Sequence, residues 1–581
     1  MNMMQPVKYI LGVLLLAGLW SCKKDKSDYL YQELPQSTPL TASTVRLMNM
    51  GRKATELIIN DTPLTSLRPP NIEGGYLANE TRPTIYFQSG RLGSTYTIPQ
   101  KFIRQDGTAH IKMGSMAFGD TSVYYPKEFD IQENVSQPTD YYNVLYGPHA
   151  TGGLVVTDSV FAIPRSISPP ADPQHFRIRV LNLSSGPDAA GMQGNMSLAF
   201  ADGTLVNNVT NNVAPGSYSD YIELPYGTYQ FKVMTADGRV VPGVPANPDE
   251  QLQLVDLATG TMMFGTNPVV AKWLSYASIH TFQPGGVYTI MICASTGFSY
   301  QAPGSNSSNS IGMNGFRVIA DVTEPMNITY GRVQAVNALP GAQVTATVDG
   351  QPLQEGALAY TAASPYSTFI TGAHIVTLKD ASGNKLAEQS FTITGSDNYT
   401  AWVYPDADGK PALKVVANNL SGSFYNNTGN SGDNGSTSQF SVTMPLWVRF
   451  LNLSTDVPEM TITDVNGQLL NGLYVSTAAA SQHLQRGLAT TQQPYVQFPI
   501  QGGINTFYVY ASQPNVLPGN WIREIPAMKG ADFIARPALY AYTGNMPGYE
   551  AGIYTVALVG SLHPKNATDQ PAKLIIIKHN K

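Results

Sequence analysis

Ile178-Arg179-Val180-Leu181-Asn182 is one of four matching phrases in the chain; the others are Val45-Arg46-Leu47-Met48-Asn49, Val333-Gln334-Ala335-Val336-Asn337 and Val448-Arg449-Phe450-Leu451-Asn452. Each is an apolar run closed by Asn. Alternation places the first, third and partly the fifth position on one face of a strand. Asn then ends the strand, because its side chain bonds nearby backbone and tolerates turn conformations. A second strand follows each phrase and closes on a tight turn, at Asn60-Asp61, Asp202-Gly203, Asp349-Gly350 and Asn466-Gly467. Asp-Gly and Asn-Gly supply positive φ at low cost and are strong hairpin signals.

A later element also recurs. Tyr288-Thr289-Ile290, Tyr399-Thr400-Ala401 and Tyr554-Thr555-Val556 match one another, with Tyr142-Asn143-Val144 as a looser version near the start. A last apolar strand follows each, such as Leu413-Lys414-Val415-Val416 or Leu574-Ile575-Ile576-Ile577. Four copies of one ordered set of features predict four units of related fold, at 44–165, 175–325, 328–420 and 446–581. The Pro-rich stretch Pro164 to Pro173 reads as a stiff connector, and 421–445, rich in Asn, Gly and Ser, as a flexible linker.

Composition agrees with this reading. The 581 residues exceed what one hydrophobic core supports. Only 13% are charged, while 52 Gly, 41 Pro and 32 Tyr favour turns and strands over long helices. The fold class predicted is therefore all-β: tandem immunoglobulin-like antiparallel β-sandwiches, each of about seven strands. The net charge of −5 carries no footprint for nucleic acid.

The strand ending in Asn, the Asp-Gly hairpin and the Tyr-containing segment Tyr218 to Val233 together resemble the domain-of-unknown-function family 4397. The resemblance is clearest in the second unit, good in the third and weaker in the first and fourth. It implies repeated β-sandwich modules of the kind seen in envelope lipoproteins of Bacteroidota, and it supplies no catalytic residues. The first unit departs from the pattern by carrying Asn60-Asp61 where Asp-Gly is expected.

The N-terminus points to a compartment. Lys8 precedes an apolar run from Tyr9 to Leu19 that has the length of a signal-peptide core and is too short to span a bilayer. Leu19-Trp20-Ser21-Cys22 then resembles a bacterial lipobox. Residues 1–21 are expected to be a lipoprotein signal peptide, Cys22 the acylated residue, and 22–43 a polar tether of at most roughly 70 Å. Several acyl chains anchor a protein stably where one does not. The membrane is expected as a partner through this anchor, and the outer membrane as the compartment, with the choice of periplasmic or outward face left open.

Reactive chemistry is sparse. The eight histidines show no pair at i, i+2 or i, i+4, so zinc-type spacing is absent. Asp406, Asp408 and Gly409 have the start of a calcium loop but lack its terminal Glu, and a hairpin turn accounts for the same residues. Cys293, inside the apolar run Thr289 to Ala294, reads as a buried and inert thiol. No cofactor, metal or catalytic residue is expected, and the chain is predicted not to be an enzyme. Loops on a rigid β scaffold are where binding usually resides. The candidate binding residues are Tyr124 and Tyr125, near Phe118 and Phe129 in unit one, and Trp521, Phe533, Tyr540, Tyr542 and Tyr549 in unit four. Aromatic faces among Asn, Gln and Asp suit sugar rings; the competing reading is that they pack the insertions onto their sandwich. The function expected is a noncatalytic, lipid-anchored envelope protein presenting a surface to glycan or protein partners. The alternatives are a hydrolase with a site between units, and a structural spacer or assembly subunit.

Overall fold

The computed structural model describes residues 41–50, 56–64, 95–116, 123–146, 157–186, 192–241, 279–301, 308–418, 446–470, 478–491, 493–498, 506–538, 549–565 and 569–581, with 243, 252–253, 255–256, 273–274 and 420 between them. The chain is all-β, as the repeat and the turn signals predict.

Unit three shows the plan in its simplest form. One sheet has the order Ser367–Ile370, Tyr330–Asn337, Asn398–Pro405, Pro411–Ala417; the other has Gln351–Pro352, Thr345–Val348, Gly372–Lys379, Lys385–Ile393. Numbered along the unit, the sheets are 4-1-7-8 and 3-2-5-6. Units one and four repeat this order, and unit two repeats the 1-7-8 part with its other strands broken into shorter pieces. The count is thus eight strands rather than about seven. The two central strands of the first sheet are also parallel, unlike the antiparallel pairing expected. The phrase strand pairs with the Tyr-bearing strand in every unit, as Arg46 with Asp140, Arg179 with Thr289, Gln334 with Thr400 and Arg449 with Thr555. This register corrects the looser match in unit one: Thr139-Asp140, and not Tyr142-Asn143, stands where Tyr288-Thr289 stands in unit two.

Odd positions of the phrase enter each unit's own core, as Val333 and Ala335 do in unit three and Val448 and Phe450 in unit four. Even positions are buried as well. Val336, Trp402 and Val416 of unit three pack against Leu451, Ala557 and Ile577 of unit four. Met48, Tyr142 and Ile163 of unit one pack in the same way against Leu181, Met291 and Ile319 of unit two. The units therefore stand in back-to-back pairs, each phrase strand covered on both faces. Unit two also touches the second pair. The Arg332 guanidinium lies over the Tyr226 ring at 5.3 Å, and the Lys581 backbone bonds to Thr228 and Gln230.

Two repeated residues explain the local geometry. The terminal Asn side chain is buried and bonds three backbone groups: Asn337 donates to the carbonyls of Ala342 and Leu358, at 2.8 and 3.0 Å, and accepts from the Leu339 N–H. Asn182 and Asn452 make the same three kinds of bond. The Tyr hydroxyl fastens the turn before its own strand: Tyr288 accepts from Gln283 N–H, Tyr399 from Thr394 N–H, and Tyr554 donates to the Glu550 carbonyl. Such a link from a strand back to the preceding backbone resembles the tyrosine corner of sandwich proteins.

Candidate functional site

The aromatic candidates separate by position. Trp521 ends the edge strand Val516–Trp521 and is 47% exposed, with the Arg523 guanidinium 5.7 Å from its ring and Tyr508 edge-on at 6.1 Å. Phe533 and Tyr549 are 2% and 0% exposed and belong to the core of unit four. Their expected role as binding faces is corrected: the insertion folds back and uses these rings as packing, which is where large apolar rings contribute most. Tyr124 and Tyr125 lie in the strand Val123–Gln132. Tyr540, Tyr542 and Cys22 lie outside the described residues.

The titratable groups are arranged for structure. His110, His175, His280, His374 and His483 each meet a carboxylate: Asp130, Asp172, Glu324, Asp349 and Glu459 in turn. His579 is buried between units three and four. Its Nδ1 is 2.9 Å from the Tyr366 hydroxyl and its Nε2 2.7 Å from the Thr555 hydroxyl, and burial, with Arg449 nearby, pushes its pKa down to about 3. Asp406 accepts hydrogen bonds from the N–H groups of Asp408 and Lys410, which is a hairpin turn. Burial raises the Cys293 thiol to about 11. Among the described residues, no three His, Cys, Asp or Glu side chains are grouped to hold a metal ion.

A cavity of about 470 Å³ opens where units one and two meet. Its walls carry three guanidinium groups: Arg46 from the phrase strand of unit one, Arg165 from the Pro-rich connector and Arg317 from the last strand of unit two. Two of them are fully engaged. Arg46 donates to both oxygens of Asp140, at 2.9 and 2.5 Å, and to the Ala320 carbonyl at 2.7 Å. Arg165 donates to the carbonyls of Asp321 and Thr44, at 2.6 and 2.7 Å, and its Nε lies 3.0 Å from Asp140. Asp321 is held by the hydroxyls of Thr289 and Tyr221, at 2.6 and 2.9 Å. Burial lowers Arg46, but its bonds to Asp140 and the charges of Asp140 and Asp321 outweigh that, so its pKa rises above the ordinary value. Asp321 is raised by burial against the pull of Arg179, Thr289 and Arg46. Sequence reasoning missed this cluster because Arg46, Asp140, Arg165 and Asp321 are far apart in the chain. The available signal was an Arg at the second phrase position, on the face opposite the one that alternation marks.

Fold and site together define a class: a tandem β-sandwich protein whose repeated residues serve as scaffold. Residues 331–428 match the model of Domain of unknown function (DUF4397), so the third unit is a DUF4397-like module. The match falls on unit three, where the plan carries no insertions, and not on unit two, where the resemblance in the residues is clearest. No curated protein matches the chain. Two solved structures show slight similarity. One is a leucine-rich repeat protein from Bacteroides thetaiotaomicron VPI-5482, 11% identical over 39% of this chain and 26% of that one, with a TM-score of 0.10. The other is the Bacillus anthracis TIE protein, 9% identical over 83% of this chain and 70% of that one, also with a TM-score of 0.10. Likeness at that level carries no argument about function.

Proposed function

We propose that this chain is a noncatalytic, lipid-anchored modular protein of the bacterial envelope, held to the outer membrane through Cys22, that presents a binding surface to glycan or protein partners. The observation that carries this reading is how units two, three and four use their shared residues. Asn337 and its counterparts tie loops together, Tyr399 and its counterparts fasten a turn, and the strands between them fill cores. What repeats is therefore a scaffold, and binding is left to the parts that differ between units. Among the candidate aromatics whose side chains are described, Trp521 is the exposed one, on an edge strand beside Arg523.

Three measurements test this. Mass spectrometry of the membrane fraction should find acyl chains on Cys22, and Cys22→Ser should release the protein from membranes. Protease treatment of intact cells then reports which face it occupies. A glycan array probed with the chain from residue 23 onward should show ligands that weaken on Trp521→Ala, whose own cost to stability should stay within about 0.5 kcal/mol because the ring is exposed. Binding unchanged by Trp521→Ala removes that edge strand from the surface. An array without ligands, together with no envelope protein captured by crosslinking in cells, overturns the binding reading and leaves a structural spacer.

A further inference from the structure

The cavity between units one and two contains a charge that the fold does not neutralise. Arg317 pairs in register with Met291, and both neighbours on that face of the strands, Met291 and Ile319, are buried against unit one. Its Nε is buried and has no hydrogen-bond partner. Burial holds its pKa below the ordinary guanidinium value. The two buried aspartates nearby, Asp140 and Asp321, are committed to Arg46, Arg165, Thr289 and Tyr221. Glu324, also on the wall, is held by the Tyr288 hydroxyl at 2.7 Å and by His280 at 3.1 Å.

Arg317 is half-buried, with its Nε out of reach of water and without a partner, and such a partly desolvated guanidinium costs stability while no anion meets it. An anion entering the cavity removes that cost and gains a charge-assisted, bidentate contact. The remaining wall contributes hydroxyls, from Thr95, Thr97 and Thr323, beside the apolar Met50 and Val318. The volume lies within the range of about 300 to 1,000 Å³ usual for small-molecule sites. We propose that this cavity binds an acidic sugar, its carboxylate on Arg317 and its hydroxyls on the threonines. The proposal deepens the binding reading above by giving it a ligand class and a site remote from Trp521.

Calorimetric titration of the full chain with D-glucuronate, D-glucose and D-glucose 6-phosphate is the test. Glucuronate should bind, and glucose, which lacks the anion, should bind at least roughly tenfold more weakly. Arg317→Gln should weaken glucuronate by a similar factor, and Arg317→Lys should lose less because it keeps the charge without the fork. In the absence of ligand, Arg317→Gln should melt no lower than the parent, which separates a ligand-binding Arg from one that supports the fold. Equal affinity for glucose and glucuronate overturns the proposal, as does no binding of glucuronate; both are read on the unmodified protein and do not depend on a variant folding. Preference for the phosphate over glucuronate also overturns the acidic-sugar assignment. Neutral glycans bound on the array with no glucuronate in the cavity would leave the general binding reading standing and remove this site alone.

Discussion

The Asn that closes each phrase strand is the residue on which the local geometry depends. Asn337 satisfies two buried carbonyls and one N–H, and Ala in its place leaves all three without a partner. Asn337→Ala should cost on the order of 3 kcal/mol, read as a lower midpoint in urea denaturation. The sequence suggested that this Asn bonds nearby backbone, which Leu339 confirms; its two carbonyl partners come from loops whose paths the sequence does not show. His579 makes a second residue-scale prediction. Its folded pKa, about 3, lies below the ordinary 6.5, so the unfolded chain takes up the proton first. The stability it supports is complete above about pH 6.5 and falls as pH drops from there toward 3, by a few kcal/mol in all. Melting temperature measured from pH 7.5 to 4 should show this decline, and His579→Gln should flatten it.

At the scale of the element, the hairpins were the most legible feature, because a tight turn is specified by two adjacent residues. Asp349 and Gly350 have φ of 50° and 84°, and Asn60 and Asp61 reach φ of 46° and 63° without any glycine. The first unit's departure from Asp-Gly is thus a change of residue and not of turn, since Asn and Asp tolerate the left-handed region better than other side chains. A Cβ on Gly350 meets no atom within 4 Å, so substitution there tests conformation alone. Gly350→Val should cost about 1 to 2 kcal/mol, and Gly350→Asn clearly less, by chemical denaturation. Strand pairing was less legible. A parallel partner some 60 to 110 residues along the chain leaves no local mark beyond a near-continuous apolar run, which is how strands covered on both faces read.

At the scale of the molecule, the repeat revealed four units but not their pairing. Alternation marks one face as core, and a polar residue, Arg or Gln, at the second phrase position gives no sign that the other face is covered. The structure buries that side chain instead, with Arg449 bonded to Asn418 and Ala417 and Gln334 to Thr400. Two kinds of core therefore coexist, within units and between them. Trp402, fully buried in the second kind, reports on it. Trp402→Ala should cost about 3 to 5 kcal/mol; calorimetry should show one shared transition of units three and four in the parent and a broadened or split one in the variant.

The back-to-back arrangement also sets where the chain can be divided. A fragment holding unit three alone carries Val336, Trp402 and Val416 into water on one flat side, a patch of the kind that drives self-association. The doublet, not the single sandwich, is the smallest piece suited to recombinant expression, domain exchange or crystallisation.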